Sequence, residues 1–95
     1  MLVMIKSGPD TPEGQRGVKL ARDLSADIVL LQNGVYFIQE RNLEDVGFVG
    51  PVHVLEDDRR LRGVKADAPE KNINDITYDR LIDLMAEGDK VIGMF

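Results

Sequence analysis

Four consecutive apolar residues, Ile28-Val29-Leu30-Leu31, constrain the fold of this chain more than any other segment. A strand that alternates apolar and polar residues keeps one face in water. A strand that is apolar at every position needs cover on both faces, which is the pattern of a parallel sheet held between helices. Leu2-Val3-Met4-Ile5 is a run of the same kind, and Val52-His53-Val54-Leu55, with a histidine among its apolar residues, is the third strand. Residues 73–77 form a weaker fourth strand candidate, and Lys90-Val91-Ile92-Gly93-Met94-Phe95 a fifth.

Helical patterns lie between these runs. Asp10-Thr11-Pro12-Glu13 reads as a helix start, because Thr11 can accept a bond from a free N–H and Pro12 suits the first helical position. Val18, Ala21 and Leu24 follow at helical spacing. Gly14 and Gly17 each weaken that helix by up to ~1 kcal/mol relative to Ala, so its first turn is either loose or closely packed. Gln32-Asn33-Gly34 ends the second strand, and a short helix is predicted over 35–40. Residues 42–50 read as a loop broken by Gly47 and Gly50. Glu56-Asp57-Asp58 opens a short helix that closes on Arg59-Arg60-Leu61-Arg62-Gly63. Acids first and bases last complement the helix dipole, and Gly63 can take the left-handed terminating conformation. Residues 64–71 are polar, contain Pro69 and read as a surface loop. Thr77 or Asp75 caps the last helix, where Tyr78, Leu81, Ile82 and Met85 recur at i, i+3, i+4 and i+7. Gly88 ends it.

The order β-α-β-α-β-α-β-α-β predicts an α/β fold: a compact, mostly parallel five-stranded sheet with helices on both faces and right-handed crossovers. The 95 residues suffice for a single domain over 1–95 and are too few for two cores. Sheets of this kind place their sites beyond the carboxyl ends of the strands. Those ends are Lys6-Ser7-Gly8, Gln32-Asn33-Gly34, Glu56-Asp57-Asp58 and the stretch around Thr77.

Composition excludes whole classes of chemistry. The chain has no cysteine. Disulfides, thiolate nucleophiles, persulfides and Cys-ligated zinc are therefore ruled out within it. Its one histidine excludes a multi-His metal site. A formal net charge of −5 makes the domain a poor partner for phosphate backbones, so no direct nucleic-acid contact is expected. No apolar run approaches the roughly 20 residues that span a bilayer. The opening residues read as a strand rather than a signal peptide, and a cytoplasmic location is expected.

Each polar constellation has a plain structural reading beside a functional one. Ser7-Gly8 before a helix start is either a tight turn or an anion cradle, and it lacks the P-loop and dinucleotide fingerprints. Gln32-Asn33-Gly34 is a turn tolerant of positive φ, or a polar contact to a partner or ligand. Glu56-Asp57-Asp58 could hold Mg²⁺, but helix capping and dipole complementarity account for it without a ligand. His53 stands alone between valines with no positioned partner, as a packed or interfacial side chain would. Arg59, Arg60 and Arg62 read as a solvated helix end or an acid-pairing cluster. No catalytic residue, cofactor site or metal site is expected. The apolar end at 91–95 suggests cover by the core or by a neighbouring subunit. Asn33, Tyr36, Phe37 and Phe48 are the expected interface residues, since aromatic side chains are enriched at interface cores.

Several segments resemble one family. Leu30-Leu31-Gln32-Asn33-Gly34-Val35 is similar to the "L-L-Q-(D/N)-G-V" segment of DsrH/TusB proteins. Val54-Leu55-Glu56-Asp57-Asp58 with Arg62-Gly63 resembles their "V-x-x-L-x-x-D-x-x-x-R-G" stretch. Ile76-Thr77-Tyr78 leading into Leu81-Ile82-Asp83-Leu84 resembles their final helix. The resemblance covers essentially the whole chain and implies the same five-stranded α/β fold. It also implies a place in an assembly such as DsrEFH or TusBCD, which relays persulfide sulfur in tRNA wobble-uridine 2-thiolation or in sulfur oxidation. The partners it implies are a cysteine-bearing DsrE/TusD-like subunit and a DsrF/TusC-like subunit. With no cysteine here, no family sulfur site transfers to any residue, and the chain is expected to be a non-catalytic subunit. The alternative is a stand-alone homo-oligomer that binds a small anionic ligand at its strand ends.

Overall fold

The computed structural model describes residues 1–39, 42–48, 50–64, 73–88 and 90–94. Five strands of four residues each, β1 (Leu2–Ile5), β2 (Asp27–Leu30), β3 (Val52–Leu55), β4 (Ile73–Ile76) and β5 (Val91–Met94), form one sheet in the order β4-β3-β2-β1-β5. Every pairing is parallel. The register sets Ile5 beside Leu30 and Leu30 beside Val54.

Alternation along the strands divides the core in two. Val3, Ile5, Ile28, Leu30, Val52 and Val54 face one side of the sheet. There they meet Val18 and Ala21 of α1 (Pro12–Leu24), and Val35, Phe37 and Ile38 of a 3₁₀ segment (Gln32–Ile38). Leu43 and Val46 of α2 (Asn42–Val46) pack against the same cluster. Leu2, Val29, Leu31, Leu55 and Ile76 face the other side and are buried with Leu81 of α4 (Tyr78–Glu87). Each such side chain contributes about 1.5–3 kcal/mol when fully buried. The connections from β1 to β3 therefore cover one face of the sheet, and α4, on the return to β5, covers the other.

Local chemistry fixes the helix ends. Thr11 caps α1, its hydroxyl accepting from the Gly14 N–H at 3.1 Å, and Pro12 occupies the first turn. The first turn of α1 is closely packed: a Cβ on Gly14 would stand 2.2 Å from the Gly8 carbonyl oxygen. Thr77, rather than Asp75, caps α4 through the Arg80 N–H at 3.2 Å. The short helix α3 (Glu56–Leu61) follows β3 without a linker, and Gly63 beyond it has φ +62°. No helix among the described residues is long and apolar enough to cross a membrane.

Three segments differ from the sequence reading. The helix predicted over 35–40 is a 3₁₀ segment that starts earlier, at Gln32, because Gly34 closes a tight turn onto the Leu31 carbonyl. The loop predicted over 42–50 contains α2, a single turn held by Leu43 and Val46 on the core. In α4 the apolar pattern does not all face inward. Leu81 is buried, whereas Tyr78, Ile82 and Met85 are 53%, 62% and 41% exposed. Leu24 of α1 is likewise exposed, and Val64, read as the start of a surface loop, is buried. The expected helix end at Glu40, the rest of the loop over 65–71 and the terminal Phe95 lie outside the described residues.

The two neighbours Leu81 and Ile82 test this orientation of α4. Leu81→Ala should cost about 2–5 kcal/mol of unfolding free energy, as for a buried leucine. Ile82→Ala should change it by no more than about 0.5 kcal/mol, as for a surface site. Urea unfolding of the two variants measures both, and equal losses would contradict the orientation.

Candidate functional site at the strand ends

Parallel pairing between β1 and β2 continues past the strands. The Leu31 N–H donates to the Ile5 carbonyl at 3.1 Å, and the Gly34 N–H to the Lys6 carbonyl at 3.1 Å. The backbone approach at Gly34 is so close that a Cβ would lie 2.2 Å from the Ile5 carbonyl oxygen. Only glycine fits there. Between these anchors Gln32 turns the chain with φ +49°, a conformation that costs a residue with a Cβ roughly 1–2 kcal/mol.

Two side chains from α3 and its end hold this turn. The Asp58 carboxylate accepts from the Gln32 N–H at 2.7 Å. The Arg62 guanidinium donates to the Asn33 side-chain oxygen at 3.2 Å, and also lies 3.8 Å from the Asp58 carboxylate. Asp58 and Arg62 are both mostly buried. A hydrogen bond to an ionised group in such a place is worth about 1.5–3 kcal/mol. The segments around Asn33 and around Asp58 thus form one hydrogen-bonded unit. Their link could be suspected from the i, i+4 spacing of Asp58 and Arg62, but no sequence signal pairs them with Gln32 and Asn33.

The other acids and bases of α3 are also engaged. Glu56 pairs with Arg60 at 2.6 Å, and Asp57 lies 3.8 Å from the same arginine. Arg59 reaches Asp75 of β4 at 2.6 Å and donates to the Val64 carbonyl at 3.1 Å. The run of acids at 56–58 therefore serves helix and turn geometry. Among the described residues no cluster of His, Asp and Glu could hold a metal ion.

The Ser7-Gly8 segment is a turn. Its Gly8 carbonyl accepts from both the Thr11 N–H at 3.1 Å and the Thr11 hydroxyl at 2.7 Å. The Gly14 N–H that could have met an anion is already taken by Thr11. At the end of β2 the Asp58 carboxylate likewise occupies the Gln32 N–H as an internal anion.

His53 sits in β3 on the α4 side of the sheet, away from the strand ends. Its Nε2 lies 3.7 Å from the Asp27 carboxylate, too long for a hydrogen bond, and its Nδ1 is buried without a partner. That is the setting of a packed side chain, with no group among the described residues placed to drive proton transfer.

Of the expected interface residues, Asn33 is exposed and Tyr36 half-buried on the 3₁₀ segment. Phe37 and Phe48 are corrected: at 1% and 5% exposure they are core side chains of the protomer, packed with Ile38, Val52 and Val64. Aromatic enrichment at interfaces misled here, because a small domain with only five aromatic residues spends two of them on its own core. Phe37→Ala would therefore report on folding, and only Asn33 and Tyr36 remain accessible to a partner. A shallow depression of ≈ 270 Å³ lies beside Tyr36, lined also by Pro9, Asp10, Gln39 and Asn42.

The Asp58 contact makes a direct stability prediction. Asp58→Ala leaves the Gln32 N–H without its acceptor and Arg62 without its ion-pair partner, and should cost about 1.5–3 kcal/mol in urea unfolding. Asp58→Asn keeps a carbonyl acceptor and should cost less. An alanine variant as stable as the parent would show that the turn does not depend on this bond.

The model of the DsrH-like protein family matches residues 16–91. The solution NMR structure of protein Tm0979 from Thermotoga maritima superimposes with a TM-score of 0.62 and 29% sequence identity, covering 95% of this chain and 97% of that one. No curated protein matches the chain. The matched span includes the turn at Gln32-Asn33-Gly34, the Asp58–Arg62 pair and α4, and by this match over most of its length the chain belongs to the DsrH-like family.

Proposed function

We propose that this protein is a non-catalytic subunit of a sulfur-relay complex of the DsrEFH or TusBCD kind. The observation that carries the reading is family membership in a chain without cysteine. Persulfide relay requires a thiolate as nucleophile and carrier. A family member that lacks one can serve the relay only by holding or shaping a subunit that has it. That subunit is a cysteine-bearing protein of DsrE/TusD type, with a DsrF/TusC-like protein as a further partner.

The surviving polar machinery fits a scaffold role. Asp58, Arg62 and Gly34 fix backbone geometry and present no nucleophile–base pair. The acidic charge supports the same division of labour. If the complex acts on tRNA in the cytoplasm, a partner supplies the basic surface, because a chain of net charge −5 repels phosphate. Wobble-uridine 2-thiolation and sulfur oxidation are the two pathways that this family reading offers.

The test is affinity purification of the tagged protein from its native cytoplasm, with mass spectrometry of what accompanies it. Stoichiometric recovery of a cysteine-containing DsrE-like subunit is the expected result. Recovery of the protein alone, as a homo-oligomer, would overturn the relay reading in favour of a stand-alone role.

A further inference from the structure

Among the described residues, the apolar surface that α4 turns to solvent packs against no other element. Tyr78, Ile82 and Met85 stand at i, i+4 and i+7, so they form one line along the helix. Single exposed apolar residues are ordinary, but an aligned row of three large ones is the anchor pattern of a helix that docks into a groove. At roughly 100° per residue, the arc around α4 runs from Leu81 and Leu84, which meet the sheet, to the exposed row, and then to Asp79 and Asp83. Both acids are exposed, and neither has an ion pair among the described residues. Arg80, the basic residue of α4, is directed instead to Glu87 at 3.5 Å. The row is thus bordered by the sheet on one side and by unpaired carboxylates on the other.

We propose that this row is the docking surface for a different protein subunit, one that presents an apolar groove or helix face edged with lysine or arginine. Charge selects that occupant over a second copy of the chain. An antiparallel two-fold pairing of α4 with its copy has its axis perpendicular to both helices, so the same flank of each helix comes together. Asp79 and Asp83 would then face the identical carboxylates of the copy, and like charges across an interface oppose association. A basic border on the partner turns the same pair of acids into an attraction. The inference rests on the relay-subunit reading, in which other subunits supply such a partner.

The experiment co-expresses the tagged chain with the DsrE-like and DsrF-like proteins of its own genome and measures the affinity of the complex. Two variants are compared with the parent: Ile82→Ser/Met85→Ser removes the row, and Asp79→Asn/Asp83→Lys changes its border. Circular dichroism and urea unfolding establish that each variant is folded. Both variants should bind at least tenfold more weakly, and the parent complex should weaken as salt is raised. A complex that forms, and that both folded variants join with parental affinity, overturns the surface and leaves the relay reading intact. Weakening by the serine pair alone overturns the basic border. Absence of any complex with the parent chain removes the relay reading, and this surface with it. A dimer of the chain alone, dissolved by the serine pair, would make a second copy the occupant. Should the serine pair fail to fold, the variant at the exposed carboxylates decides alone.

Discussion

Every strand of this sheet is four residues long and turns side chains to both faces, so neither face can be left to water. That requirement organises the molecule. On one face α1, the 3₁₀ segment and α2 cover Val3, Ile5, Ile28, Leu30, Val52 and Val54. On the other, Leu2, Val29, Leu31, Leu55 and Ile76 share one helix, α4, which enters the cluster through Leu81 with Leu84 beside it. The imbalance follows from topology. Among the described residues, the connections from β1 to β3 lie on one face, and the return to β5 through α4 lies on the opposite one. Among the described residues α4 is the one helix on that face, and its apolar arc is wider than its contact with the sheet. The surplus is the row of Tyr78, Ile82 and Met85.

The strand ends obey a second constraint, which is geometric. The β1–β2 ladder runs on into the Leu31 and Gly34 N–H groups, and the backbone contact between Gly34 and Ile5 admits no side chain. Gln32 is forced to positive φ between them, and its N–H is turned to the Asp58 carboxylate. In many α/β proteins such an N–H would meet a ligand. Here an internal carboxylate has that place, and Arg62 ties the same acid to Asn33. The family-like segments are therefore explained by the shape they hold. A protein that has no sulfur carrier still needs this corner of its fold.

The sequence made the architecture legible where the signals were redundant. The all-apolar run at 28–31 announced a sheet buried on both faces, and Thr11-Pro12 and Thr77 announced the helix starts. What escaped were features set by tertiary contact. The one-turn helix α2 has no period to detect and exists because Leu43 and Val46 reach the core. The 3₁₀ segment depends on bonds from Gly34 to Leu31 and to Lys6, and the second, made across to the end of β1, lies outside any window of local sequence. In α4 the spacing of Tyr78, Leu81, Ile82 and Met85 described an apolar face correctly but could not tell how much of it the sheet would take. The same limit misplaced Phe37 and Phe48, because an aromatic residue between strands serves a core or a partner with the same letter.

The relay subunit proposed above would act by contact, so the place of contact is where that proposal is most open to test. Hydrogen exchange monitored by mass spectrometry tests it, comparing the free chain with the chain in the proposed complex with a cysteine-bearing DsrE-like subunit. Slowed exchange is expected in α4, over Tyr78–Glu87, with little change in α1, which lies on the opposite face of the sheet. Protection confined to α1 or α2, with α4 exchanging as it does in the free chain, would contradict it.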